Sequence, residues 1–325
     1  MKKAFVLGPG YVGREIIDLL KSEGKYAITT MVRRDAAAKE FSRITTFMGD
    51  LDDTSKIQGL ARDSDLVFHT ATADHIPSAK AILDGIKERA AEGKRTIYLH
   101  QSGASVLSDG SAGDVSDAKK YSDFAPVDIN GLPDTAPHRS TDLAILKARR
   151  ELGTAARIFI MIPPIIYGAN PKYNRLSMQI PKMTRYTFEK GHAPIVGAGK
   201  GRWGAVHVLD LAKAYMTIVH WLEQSPQDSA ISNPYFFCES EEIAWGEVSR
   251  IIGKAVYAAG KIQTPEPKVV PESQWSDLYG DFTPNALASN CRCSADRLRA
   301  MGWKPVQRTL AEAFIEEDLP VMLKE

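Results

Sequence analysis

The segment Gly8-Pro9-Gly10-Tyr11-Val12-Gly13 carries three glycines in the spacing G-x-G-x-x-G. That spacing serves one kind of chemistry. Gly8 permits a tight turn, Gly10 lets backbone N–H groups approach a pyrophosphate, and Gly13 lets a helix pack closely on a strand. A helix N-terminus beneath the anion adds a favourable dipole. The flanks fit: Ala4–Leu7 is an apolar run of buried-strand type, Val12, Ile16, Leu19 and Leu20 follow at helical spacing, and Gly24 stops the helix. Contacts to the anion are expected from Gly8, Gly10, Tyr11, Val12 and Gly13.

The next strand, Ala27–Val32, ends in Arg33-Arg34. Where NAD is bound, an acidic residue here usually holds the ribose 2′-hydroxyl. An acid repels a 2′-phosphate, whereas arginine grips it with paired, charge-assisted hydrogen bonds. The expected cofactor is therefore NADP(H), with Arg33 and Arg34 reading the 2′-phosphate. Two further strand ends join the set: Asp50-Leu51 toward the adenine, and Thr70-Ala71 toward the ribose or pyrophosphate.

Proton-transfer chemistry needs a titratable group, and His138 has one suited to neutral pH. Asp142 follows one turn later on the same helix face. It is placed to accept hydrogen bonds from ribose hydroxyls or to raise the His138 pKa. Against this stands a plainer reading, in which the pair merely begins a helix with Ser140 as its N-cap. Ser102, Ser105, Tyr121 and Tyr167 are the other candidate donors. Strand-end aromatics such as Tyr167 are more often packed than catalytic.

These residues must be held by a larger frame. The chain has 325 residues, about two domain equivalents. Forty-one basic against forty acidic residues give +1, too weak a field to collect nucleic acid or an anionic membrane. The expected partner is a small-molecule substrate. Strand candidates at Ala27–Val32, Ile44–Met48, Leu66–Thr70, Thr96–His100 and Ala156–Ile162 alternate with amphipathic helices. This predicts an α/β fold with a doubly wound parallel sheet. Residues 101–137, rich in Gly, Ser, Asp and Pro, read as an active-site loop. The rhythm breaks over 170–203 and returns near Val206. The expected organisation is interleaved: 1–169 plus 204–240 as dinucleotide-binding core, 170–203 plus 241–325 as a smaller, mostly helical substrate region. The glycines Gly191, Gly197, Gly199, Gly201 and Gly204, with Lys200 and Arg202, read as a hairpin in preference to an anion site.

Three cysteines, Cys238, Cys291 and Cys293, are too few for a disulfide framework and fit a reduced cytoplasmic setting. His69, His75 and His100 are scattered, so no metal site is expected. Only four apolar residues precede Gly8, short of a signal peptide, and no run approaches a membrane span.

In order along the chain, the glycine loop, Asp50-Leu51, Phe68-His69-Thr70-Ala71, Ser102 to Val106, Pro163-Pro164-Ile165-Ile166-Tyr167-Gly168, Val206 to Ala212 and Met301-Gly302-Trp303-Lys304-Pro305 resemble the extended or atypical short-chain dehydrogenase/reductase family, epimerase-like or NmrA-like. The resemblance implies a Rossmann core, cofactor contacts from Ser102, Pro163 and Ile165, and pairing through helices as a homodimer. No sequence signal of its own marks a dimer. It also implies a Tyr-x-x-x-Lys pair one helix before the Pro-Pro strand. Here His138 stands at the tyrosine position and Asp142 at the lysine position, while Gly103 stands at the family's usual Ser or Thr. Three functions follow from that departure. The first is NADP(H)-dependent reduction of a small carbonyl with His138 as proton donor. The second is silent NADP(H) binding by a redox sensor, and the third is an epimerase-like step.

Overall fold

The computed structural model describes residues 1–114, 118–224 and 232–325. The amino-terminal half alternates strand and helix: β1 (Lys2–Leu7), α1 (Tyr11–Glu23), β2 (Tyr26–Val32), α2 (Asp35–Ala38), β3 (Thr45–Met48), α3 (Thr54–Arg62), β4 (Leu66–His69), α4 (Ile76–Ala91) and β5 (Ile97–Gln101). After the long loop come β6 (Lys120–Ser122), α5 (Pro126–Asn130), α6 (Arg139–Leu152), β7 (Arg157–Ile162) and β8 (Ile165–Tyr167). The remainder adds α7 (Gln179–Lys190), β9 (Pro194–Ile195), β10 (Arg202–His207), α8 (Val208–Gln224), β11 (Tyr235–Phe237), β12 (Glu241–Ala244) and α9 (Trp245–Ala258).

The main sheet has seven strands in the order β11-β7-β5-β4-β1-β2-β3, and all pairings are parallel. The order reverses between β1 and β4, which marks the crevice where such sheets bind ligands. Right-handed crossovers put α3, α4 and α6 on one face and α1 on the other, where it packs against α8. Every residue of β7 is buried, as a strand covered on both faces requires. Each of its apolar side chains contributes roughly 1.5–3 kcal/mol.

Two departures from the sequence reading concern the later segments. The 191–204 stretch is not a hairpin. Strand β9 pairs in parallel with Lys268–Val269, whereas β10 joins a separate three-stranded sheet between β8 and β12. Its glycines serve close approach to three different segments. A Cβ on Gly201 would sit 1.6 Å from the Ala288 carbonyl oxygen, and one on Gly197 2.1 Å from that of Ala112. The second departure is where the chain rejoins the main sheet. That happens at β11, not at Val206 to Val208.

The carboxy-terminal segments are tied back by buried carboxylates. Asp123 accepts N–H groups from Phe237 (3.0 Å) and Arg297 (2.9 Å), and burial raises it to about 6. Asp210 accepts those of Val306 and Gln307, both at 2.9 Å, just after the Gly302-Trp303-Lys304-Pro305 turn. No helix among the described residues is long and apolar enough to cross a membrane.

Candidate functional site

The glycine loop is shaped as its spacing demands. A Cβ on Gly8, whose φ is +98°, would lie 2.4 Å from the Ala71 backbone; one on Gly13 would lie 2.1 Å from the Gly8 carbonyl oxygen. Thr70 closes the same corner, its backbone N–H donating to Leu7 and its hydroxyl to Gly8 (2.9 Å each). Thus the β1 and β4 ends are locked together at the switch point. Gly10 differs, because a Cβ there would meet nothing within 4 Å. The open space lies over the first turn of the thirteen-residue α1, so the loop fits a pyrophosphate. Tyr11 spends its hydroxyl on the Gly168 carbonyl and Val12 is buried. What these two offer an anion is therefore backbone N–H.

Arg33 and Arg34 follow β2 directly and are exposed. Among the described residues neither has an ion-pair partner. Arg14, by contrast, is held by Glu40 and sandwiched between the Phe41 and Tyr173 rings, 4.4 and 4.5 Å from their centroids. Asp50 accepts the Asp52 N–H (2.9 Å) in the turn after β3, with Leu51 half-buried beside it. Pro163 gives its carbonyl to Ala104 N–H (2.9 Å), and Ile165 is fully buried opposite Ala205. Both are buried, and neither offers a free polar contact.

Three loops converge at the carboxyl ends of β4 and β5 and the start of α6. His138 Nε2 lies 2.6 Å from Ser105 Oγ, and its Nδ1 lies 2.7 Å from Asp74 Oδ1. His138, not Ser140, is the N-cap residue of α6, and its backbone is left-handed at φ +66°. That conformation is uncommon outside glycine, and histidine is among the residues that tolerate it. The His138 contact holds the Asp74 carboxyl below the usual range. An ionised Asp74 accepts the Nδ1 proton, which assigns Nε2 as the acceptor of the Ser105 hydroxyl.

Gly103 explains how the imidazole fits. A Cβ there would stand 2.9 Å from His138 Nε2 and 3.1 Å from Cδ2. The side chain missing at 103 and the ring present at 138 are one steric fact. Gly103→Ala is therefore expected to turn the imidazole away from Ser105 and Asp74. The readout is the downfield proton resonance of the Nδ1–H in nuclear magnetic resonance. Its persistence unchanged in the variant would refute the coupling.

Asp142 is buried and accepts the Ser102 hydroxyl at Oδ2 (3.0 Å); its Oδ1 has no partner among the described residues. Burial raises it to about 7. The folded state thus holds a proton that the unfolded chain releases near 4. Between those values the native state binds more protons than the unfolded one, so stability falls as pH rises. Asp142→Asn, which mimics the neutral acid, should melt higher than the parent at pH 8, and the gap should close below pH 4. Parallel melting curves would exclude this.

Tyr167 is a correction. Its hydroxyl lies 2.8 Å from Glu241 Oε1 and 3.0 Å from the Arg308 carbonyl, inside the small sheet. Burial and the Glu241 charge raise it far above the ordinary tyrosine value. It anchors the carboxy-terminal segment, with its hydroxyl hydrogen already given to protein acceptors. His69 and His100, scattered in sequence, face each other across β4 and β5 with Nδ1 atoms 3.2 Å apart and Tyr98 beside both. Burial lowers both, His69 to about 3, so the cluster is a neutral support beneath the site. No group of His, Cys, Asp and Glu able to hold a metal occurs among the described residues.

Sequence reasoning missed Asp74. It lies in the connection between β4 and α4, and nothing in its neighbourhood marks it as a partner of a residue 64 positions away. Ser105 was only one of several donors.

A parallel sheet with this strand order and a glycine loop at its switch point defines a dinucleotide-binding Rossmann fold. The chain belongs to the NAD dependent epimerase/dehydratase family, whose model matches residues 4–232. It is 28% identical over 329 residues to the oxidase ucsJ of Acremonium sp, covering 94% of this chain and 93% of that protein. Among solved structures it resembles the dTDP-glucose 4,6-dehydratase (rfbB) of Bacillus anthracis str. Ames in complex with NAD. The TM-score is 0.69 at 14% identity, covering 98% of this chain and 96% of that one. It also resembles the UDP-glucuronic acid 4-epimerase of Bacillus cereus in complex with UDP-glucuronic acid and NAD, at TM-score 0.69 and 13% identity over 99% of both chains.

Proposed function

We propose that the protein is an NADP(H)-dependent oxidoreductase that interconverts a carbonyl and an alcohol, with His138 as acid and base. The observation that carries this reading is the chain Asp74–His138–Ser105, hydrogen-bonded at 2.7 and 2.6 Å beside the glycine loop's end of the sheet. The nicotinamide, when bound, supplies the hydride acceptor or donor. Gly8, Gly10 and Gly13 would hold its pyrophosphate and Arg33 and Arg34 a 2′-phosphate.

The protein's own residues manage the proton. In the oxidative direction, a substrate hydroxyl bonded to Ser105 Oγ passes its proton through Ser105 to His138 Nε2. Asp74 stabilises the imidazolium that results. In the reductive direction the same chain returns the proton to the carbonyl oxygen. The lysine of the family pattern is replaced by Asp142, which fastens Ser102 and leaves no cation at that position. A silent redox sensor would have no use for a pre-formed proton relay, and the oxidase relative agrees with redox chemistry.

The test is NADPH oxidation with a panel of aldehydes and ketones, and NADP+ reduction with the matching alcohols. Turnover that survives loss of His138 would remove the reading.

A further inference from the structure

We infer that the substrate is an uncharged, mainly apolar molecule and not a nucleoside diphosphate sugar. This rests on the assignment of Ser105 and His138 as the proton relay and adds what lies next to them. A cleft of about 350 Å³ is lined by Val106 and Leu107 on one side and by Leu132, Pro133, Ala136 and Pro137 on the other. Val106 directly follows Ser105, and Pro137 directly precedes His138. The cleft is thus bounded by the residues next to the relay in sequence, and Ser105 and His138 themselves do not line it. Its size is at the low end of ligand sites, roughly 300–1,000 Å³.

Several polar groups of the lining are already engaged with protein. Asp109 takes hydrogen bonds from the backbone and side-chain amides of Asn290 and from the Ser111 N–H. The Ser108 hydroxyl donates to Asn285 (2.9 Å). Lys119, the cation of the described lining, is paired with Asp128 at 2.9 Å. The basic residues that flank the region are held in ion pairs: Arg202, Arg292 and Lys120 share Glu242, and Arg299 meets Glu239. Arg292 also donates to the Ala118 carbonyl (2.8 Å). A diphosphate placed here would lose hydration beside the Asp109 carboxylate and would have to draw cations away from Asp128 and Glu242, a costly exchange. An apolar body in the cleft meets its hydrocarbon walls, and the Tyr121 and Thr135 hydroxyls of the lining suit a neutral oxygen.

The experiment is titration calorimetry on the full chain, with and without NADP+, using tetralone, tetralol, decanal, UDP and UDP-glucose as probes. Tetralone or decanal is expected to bind saturably. Ala136→Trp, which fills the cleft, should weaken that binding about tenfold or more, and Lys119→Ala should change it by less than about twofold. Melting curves confirm that each variant is folded; if Ala136→Trp is not, Thr135→Trp at the rim replaces it. Saturable binding of UDP or UDP-glucose, or a complete lack of binding by the apolar probes, overturns the inference. So does apolar binding indifferent to the filled cleft. Turnover is read separately. Apolar binding without any NADPH oxidation would keep this inference and sink the oxidoreductase reading, whereas turnover of a UDP-sugar would do the reverse.

Discussion

Replacing His138 by alanine lowers kcat/KM for NADPH-linked turnover roughly a hundred- to ten-thousand-fold. The loss should fall on kcat, because the imidazole moves the proton and does not hold the substrate's bulk. Asp74→Asn is the sharper variant. It keeps the ring in place but no longer demands a proton on Nδ1, so the wrong tautomer becomes populated and Nε2 stops accepting from Ser105. A loss of about tenfold or more is expected. The parent should also lose activity as pH falls through the depressed Asp74 titration, since protonation removes the acceptor for Nδ1–H. That acid limb should be absent in Asp74→Asn. Equal kcat in the parent and both variants would show that the proton takes another route.

The second large effect concerns the cofactor. Arg33→Ala should raise the Kd for NADPH roughly ten- to hundredfold, the worth of a charge-assisted hydrogen bond, and leave NADH within about twofold. Arg34→Ala tests the second guanidinium in the same way. Both arginines are exposed, so the discrimination should shrink as salt rises and screening grows. Fluorescence titration of reduced cofactor at low and high salt measures all of this without requiring turnover. An NADPH affinity indifferent to both substitutions would argue for NAD instead.

Much of the frame was legible because its signals are local. Ala4–Leu7 followed by three glycines announces a strand, a turn and a helix within a dozen residues. The apolar runs at 27–32, 66–70 and 156–162 are continuous because both faces of the sheet are covered. The later segments were less legible. Glycines at 197, 199 and 201 look like hairpin punctuation, yet each makes room for a different distant backbone. No local pattern distinguishes a glycine needed for a turn from one needed for a neighbour.

The candidate site divides the same way. By itself the sequence determined the Rossmann frame, the glycine loop, the arginine pair after β2, and the His138 and Asp142 pair one turn apart. Spacing along one chain segment suffices for each of these. The tertiary structure alone decided what His138 touches. Its partners Ser105 and Asp74 come from separate connections, 33 and 64 positions away. They meet because parallel pairing brings the ends of β4 and β5 to the same edge of the sheet as the start of α6. The empty Cβ position at Gly103 then gives the imidazole its place between them. Tyr167, drawn by sequence toward catalysis, was claimed by Glu241 and Arg308, contacts made across the fold that no spacing along the chain records.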